Sequence, residues 1–132
     1  MSREIKFAFW HNWKKEMWGV DSINWVYKEV WNGGDGASLN DGVLLQYTGF
    51  VDKNGKEIYE GDIITVFDYC DDGDIITTKA SEVKFKNGSF GFKNDITRDF
   101  YSFSNCNRPG TSFKIIGNKF ENPELITEVK NG

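Results

Sequence analysis

The residues with which a chain of 132 amino acids could do chemistry are few here: one histidine, His11, two cysteines, Cys70 and Cys106, and a run of acids from Glu57 to Asp74. A nucleophilic triad needs imidazole beside a hydroxyl or thiol and a carboxylate, and no GxSxG elbow occurs to present the nucleophile. A single histidine also excludes multi-histidine metal sites, and His11 reads as a turn residue between aromatic strands. The cysteines lack CxxC spacing or a histidine neighbour, so they suggest neither a zinc site nor a disulfide scaffold. Asp68, Asp71, Asp72 and Asp74 offer hard oxygen ligands for Ca²⁺ or Mg²⁺. With Asp68 placed first in an EF-hand loop, however, Cys70 takes a ligand position and Lys79 stands where the bidentate Glu belongs. Glu57, Glu60 and Asp62 could supply an acid and a base for glycoside-type chemistry, but such pairs are common in any acidic segment. No GxxxxGK[ST] motif exists, and Gly33-Gly34-Asp35-Gly36 is followed by neither a lysine nor a helix. The expectation is a protein with no catalytic residue, no metal and no cofactor.

Two groups of residues point to binding instead. Trp10, Trp13, Trp18, Trp25 and Trp31 are all five tryptophans of the chain, packed into a short stretch that a small lobe cannot easily bury. An uncovered aromatic surface marks an association site, so these five form the expected interface of a homo-oligomer or of a contact with another protein. The second group is basic. Lys84, Lys86, Lys93, Arg98, Arg108, Lys114 and Lys119 lie among phenylalanines and tyrosines, and small barrels bind single-stranded nucleic acid with such a combination. This is the alternative reading, and two facts oppose it. Most of those aromatics alternate with the lysines and should point inward, and the net charge of −4 has the wrong sign for a general nucleic-acid binder. The charge is segregated, with seven acids and no base in 57–78 and eight bases against three acids in 79–119.

The elements that must position these residues are strands. Alternation dominates and helical periodicity is nearly absent. Ile5, Phe7 and Phe9 alternate with Lys6, Ala8 and Trp10 in an opening strand, and Trp13–Val20 returns as its partner. Ile23 to Trp31 reads as a second aromatic strand region, ended by Asn32-Gly33-Gly34-Asp35-Gly36, a glycine-rich stretch expected to be a mobile loop reaching Gly42. Asn54-Gly55 and Asn87-Gly88 each predict a hairpin closed by a type I′ turn. From 61 to 117, about five short strands with tight turns suggest a small SH3-like barrel. Asn122-Pro123-Glu124 can start a short terminal helix. The fold class is mainly β, in three parts: a Trp-rich lobe over 1–56, the barrel over 57–120 and a helical tail over 121–132. No apolar run could span a bilayer and no signal peptide is evident, so a soluble cytoplasmic protein without membrane contact is expected.

Several segments resemble one family. Arg3-Glu4-Ile5-Lys6-Phe7, then Leu45-Gln46-Tyr47-Thr48-Gly49-Phe50 with Asp52-Lys53-Asn54-Gly55-Lys56-Glu57-Ile58-Tyr59-Glu60-Gly61-Asp62-Ile63, and finally Ile116-Gly117-Asn118 with Glu121-Asn122-Pro123-Glu124-Leu125 look like the YopX-like proteins of phages and prophages in Gram-positive bacteria. The resemblance implies a mainly β accessory protein with an SH3-like barrel, self-associating, with a host or phage protein as the further partner, and it brings no catalytic residues to carry over. The chain departs from the family at Phe7-Ala8-Phe9-Trp10-His11, where a basic and a small residue followed by Trp-Asp is common. Any function lodged in the Trp-rich stretch is then particular to this chain.

Overall fold

The computed structural model describes residues 4–69, 75–93, 98–106 and 111–126. Its elements are mostly antiparallel strands, and they fall into two compact units, Met1–Tyr47 and Thr48–Gly132.

In the first unit, β1 (Phe7–His11) pairs with β2 (Glu16–Gly19) and with the start of β6 (Gly42–Val51), while β3 (Ser22–Asn24), β4 (Glu29–Asn32) and β5 (Asp35–Ser38) form a small sheet. Its core is compact: Phe9, Trp18 and Val30 are buried, with Val20, Ile23, Ala37, Leu39 and Leu44 packed against them. Two expectations fail in this unit. The aromatic segment 23–31 is a hairpin, β3 and β4, whose turn is Trp25–Lys28. The glycine-rich stretch is a tight turn at Gly33-Gly34 followed by a strand. The reason is cross-strand support. Trp31 pairs with Gly36, and its ring occupies the space a side chain there would need, within 2.9 Å of a Cβ built on Gly36. The Gly33 N–H donates to the Asp21 carboxylate. Leu39–Asp41 then forms one 3₁₀ turn, its first turn capped by the Ser38 hydroxyl.

The second unit contains the end of β6, β7 (Glu57–Tyr59), and a five-stranded curled sheet in the order β11-β10-β9-β8-β12. These strands are β8 (Asp62–Tyr69), β9 (Ile75–Lys86), β10 (Ser89–Lys93), β11 (Phe100–Ser102) and β12 (Ser112–Asn118). A meander whose last strand returns to pair with its first, after a 3₁₀ turn at Phe103–Asn105, has the strand order of the expected SH3-like barrel. Alternation fills its interior. Ile58, Ile64, Val66, Val83, Phe92 and Phe103 are buried together, with Phe90, Cys106, Phe113 and Ile115 against them. Each such side chain is worth about 1.5–3 kcal/mol relative to exposure. Phe103 sits at the centre of the aromatic packing, edge-on to Phe113 at 5.0 Å and 5.7 Å from Phe92. The described chain ends in a helical turn at 123–126.

The two Asn-Gly hairpins differ. At the second, Lys86 pairs with Ser89, and Asn87 and Gly88 both have positive φ, 54° and 83°, as a type I′ turn requires. At the first, only Gly55 does, at 82°. There the Gly55 N–H donates to the Asp52 carbonyl and the Asp52 N–H to the Lys56 carbonyl, giving a three-residue loop that ends in a left-handed glycine.

Candidate functional site

The five tryptophans do not form one surface. Trp10 and Trp18 lie in paired strands and are 6% and 7% exposed, Trp18 in the core with Phe9 and Val30, so neither offers its ring to the expected interface. Trp13 and Trp25, at 79% and 63%, stand in hairpin loops, and Trp31 leans over β5 at 36%. The two loops are built alike. Each has four residues, 12–15 closed by His11 opposite Glu16 and 25–28 closed by Asn24 opposite Glu29. Each ends in a lysine with φ of 56°, Lys15 and Lys28. In each, the side chain before the loop satisfies backbone donors: His11 Nδ1 accepts from the Trp13 and Lys14 N–H groups at 3.2 Å, and Asn24 Oδ1 accepts from the Tyr27 N–H at 3.0 Å. The loop tips are therefore fixed from below by polar atoms. The Trp13 indole donates to Asp41 at 3.3 Å. Val26 and Tyr27, 84% and 73% exposed, extend the second tip to three consecutive apolar residues. Sequence reasoning missed both because the segment read as a strand. The signal available was the repeated pattern of Asn12-Trp13 ahead of Lys15-Glu16 and Asn24-Trp25 ahead of Lys28-Glu29.

His11 is the expected turn histidine. It is buried, 6.1 Å edge-on from Phe9 and 5.2 Å from Trp18, and its Nδ1 is engaged as an acceptor.

The basic residues spread over the second unit. Lys84, Lys86, Lys93, Arg98, Lys114 and Lys119 are exposed. Lys84, Lys86 and Lys93 share β9 and β10, whereas Lys114 is on β12 and Lys119 is 3.4 Å from Glu82. Arg108 lies outside the described residues, as do Cys70 and the acidic tip 71–74, and the Asp68 side chain with them. Phe92 and Phe103 point inward as expected, but Phe85 is 55% exposed and touches Phe90 edge-on at 4.9 Å.

The acids near the first Asn-Gly hairpin are structural in their contacts. Asp52 is buried, and its carboxylate accepts from the backbone N–H groups of Asn54 and Lys56, both at 2.9 Å, and of Ile115 at 3.2 Å. Burial opposes its ionisation, yet those three donors and the Lys56 charge overcome it and hold the carboxyl below the usual range. The Asp62 carboxylate accepts from the Tyr59 N–H at 2.8 Å. Burial pushes this carboxyl up to about 6, against the pull of that N–H and of Lys56 and with the Asp52 charge adding to the rise. Among the described residues no group of three or more His, Cys, Asp or Glu is arranged to hold a metal ion.

The segment 116–125 is as closely tied. Asn118 Oδ1 accepts from the Phe120 and Glu121 N–H groups, and Asn122 Oδ1 reaches back to the Asn118 N–H at 3.2 Å instead of capping the following turn. A Cβ on Gly117 would stand 2.5 Å from that same oxygen.

A mainly β chain with two aromatic-tipped hairpin loops and the strand order of an SH3-like barrel, braced at 52–63 and 116–122 by side-chain caps, is what defines this class of fold. The chain belongs to the YopX family, whose description, YopX protein, matches residues 6–127. Among solved structures it is similar to protein EF1440 from Enterococcus faecalis, 27% identical, with a TM-score of 0.65 and coverage of 95% of this chain and 99% of that one. It is also similar to YopX from Bacillus subtilis, 19% identical, with a TM-score of 0.58 and coverage of 91% and 96%, a likeness of fold. Comparison with curated proteins gives no match. Among the described residues, no helix is long and apolar enough to cross a membrane.

Proposed function

We propose that this protein is a non-catalytic interaction module that self-associates through the aromatic hairpin loops of its first unit. In keeping with its family resemblance, it serves as a phage or prophage accessory protein in the host cytoplasm. The observation that carries the reading is the tip Trp25-Val26-Tyr27, three consecutive apolar residues that are all exposed at a turn. Turn positions ordinarily go to Gly, Asn, Asp or Ser. The exposed rings of Trp25 and Tyr27 alone supply about a third of the ~800 Å² that one partner contributes to a standard interface. Light scattering from micromolar to millimolar concentration tests it. The wild type is expected to associate and the double variant Trp25→Ser/Tyr27→Ser to remain a folded monomer. A wild type that stays monomeric throughout overturns the reading.

A further inference from the structure

The outer face of the β9–β10–β11 meander is unlike the rest of this acidic chain. Val83 and Phe92 are paired across the sheet and both are buried, so strand alternation sends Lys84, Lys86, Ser89, Gly91 and Lys93 to the other side. Phe100 pairs with Lys93 and Ser102 with Gly91, which brings both to that same outer face. Gly91 makes room for the aromatic ring: a Cβ there would stand 2.8 Å from Cζ of Phe100. Lys86 Nζ is 5.9 Å from the centroid of that ring. The three lysines are exposed, and among the described residues no carboxylate pairs with them, whereas the Lys119 charge is answered by Glu82.

We infer that this face binds single-stranded nucleic acid, with Lys84, Lys86 and Lys93 on successive phosphates and a base against the Phe100 ring. Lys84 and Lys86 stand two residues apart on one side of a strand, about 6.8 Å, a span that one extended nucleotide covers. A phosphate drawing Lys86 off the ring opens that ring to the neighbouring base. Stacking selects the single strand, because the bases of a duplex turn only their edges outward. The surface belongs to the second unit and does not depend on the aromatic loops, so this inference stands apart from self-association.

Fluorescence anisotropy with a labelled oligothymidylate, titrated at several salt concentrations, tests it. With three phosphates neutralised, log affinity should fall with log salt at a slope of about −2. The triple variant Lys84→Gln/Lys86→Gln/Lys93→Gln should lose about tenfold or more in affinity at low salt and most of that slope. Phe100→Leu should lose about fivefold and keep the slope, and Lys114→Gln, on β12, should change affinity less than about twofold. Thermal melting of each variant checks that it folds. Absence of binding at low salt, an unchanged triple variant, or tighter binding to a duplex of equal length overturns the inference. Scattering in the same buffers shows separately whether the loops associate, so the two readings can fail independently.

Discussion

The same dipeptide closes two hairpins of the second unit in different ways. At Asn87-Gly88 both residues are left-handed and the loop has two residues. At Asn54-Gly55 only the glycine is left-handed, and the loop is one residue longer. What differs is Asp52. Its buried carboxylate takes the N–H groups of Asn54 and Lys56 and so gives the backbone a better set of hydrogen bonds than the two-residue turn offers. The Asn-Gly preference for a type I′ turn is a backbone preference of order 1 kcal/mol, and three charge-assisted hydrogen bonds to one carboxylate exceed it. A turn is decided by where all its donors go.

That comparison can be broken most forcefully by Asp52→Ala. It leaves three backbone donors without their carboxylate and should cost about 3 kcal/mol in chemical denaturation. A loss below about 0.5 kcal/mol would mean the Asn-Gly pair shapes the loop unaided.

The next aspartate along sharpens the contrast by sign. Asp52 ionises more readily when folded, so its contribution is present above its unfolded pKa of 3.8 and is lost as pH falls through the lower folded value. Asp62 ionises less readily, so its contribution is full below 3.8 and is lost as pH rises through about 6. Asp62→Asn should therefore gain on the wild type by about 1–2 kcal/mol between pH 4 and pH 8 in melting experiments. A constant difference across that range would remove the contrast.

The smallest effect separates the asparagines. Asn87→Ala places a Cβ-bearing residue without a short polar side chain at positive φ and should cost about 1 kcal/mol, whereas Asn54→Ala should cost less than about 0.5 kcal/mol. Equal costs in urea denaturation would indicate equal turns.

Much of the barrel was legible in the sequence because its strands alternate cleanly. Val83, Phe85, Phe90 and Phe92 around an Asn-Gly pair define a hairpin and its register with no further help. The first unit was harder to read. A tryptophan in a strand and one in a loop look alike, and only the paired partners of Trp10 and Trp18 show that they are interior while Trp13 and Trp25 cap loops. Gly33 to Gly36 reads as a loop in sequence because its support, the Trp31 ring and the Asp21 carboxylate, comes from residues outside the segment. The lysines on β9 and β10 were visible as a group, but the partition that sets Lys84, Lys86 and Lys93 apart from Lys114 and Lys119 depends on strand order, which spacing alone does not give.

Asp52 is also tied to a residue 63 positions away, Ile115, and Lys53 N–H donates to the Phe113 carbonyl. A ribosome delivers β12 well after the first hairpin, so the hairpin must wait for it with one carboxylate oxygen facing water. Closing so long a stretch of chain is entropically slow. The order of assembly follows: the strands in between fold upon themselves first, and the loop that resembles the family most closely locks only when β12 arrives.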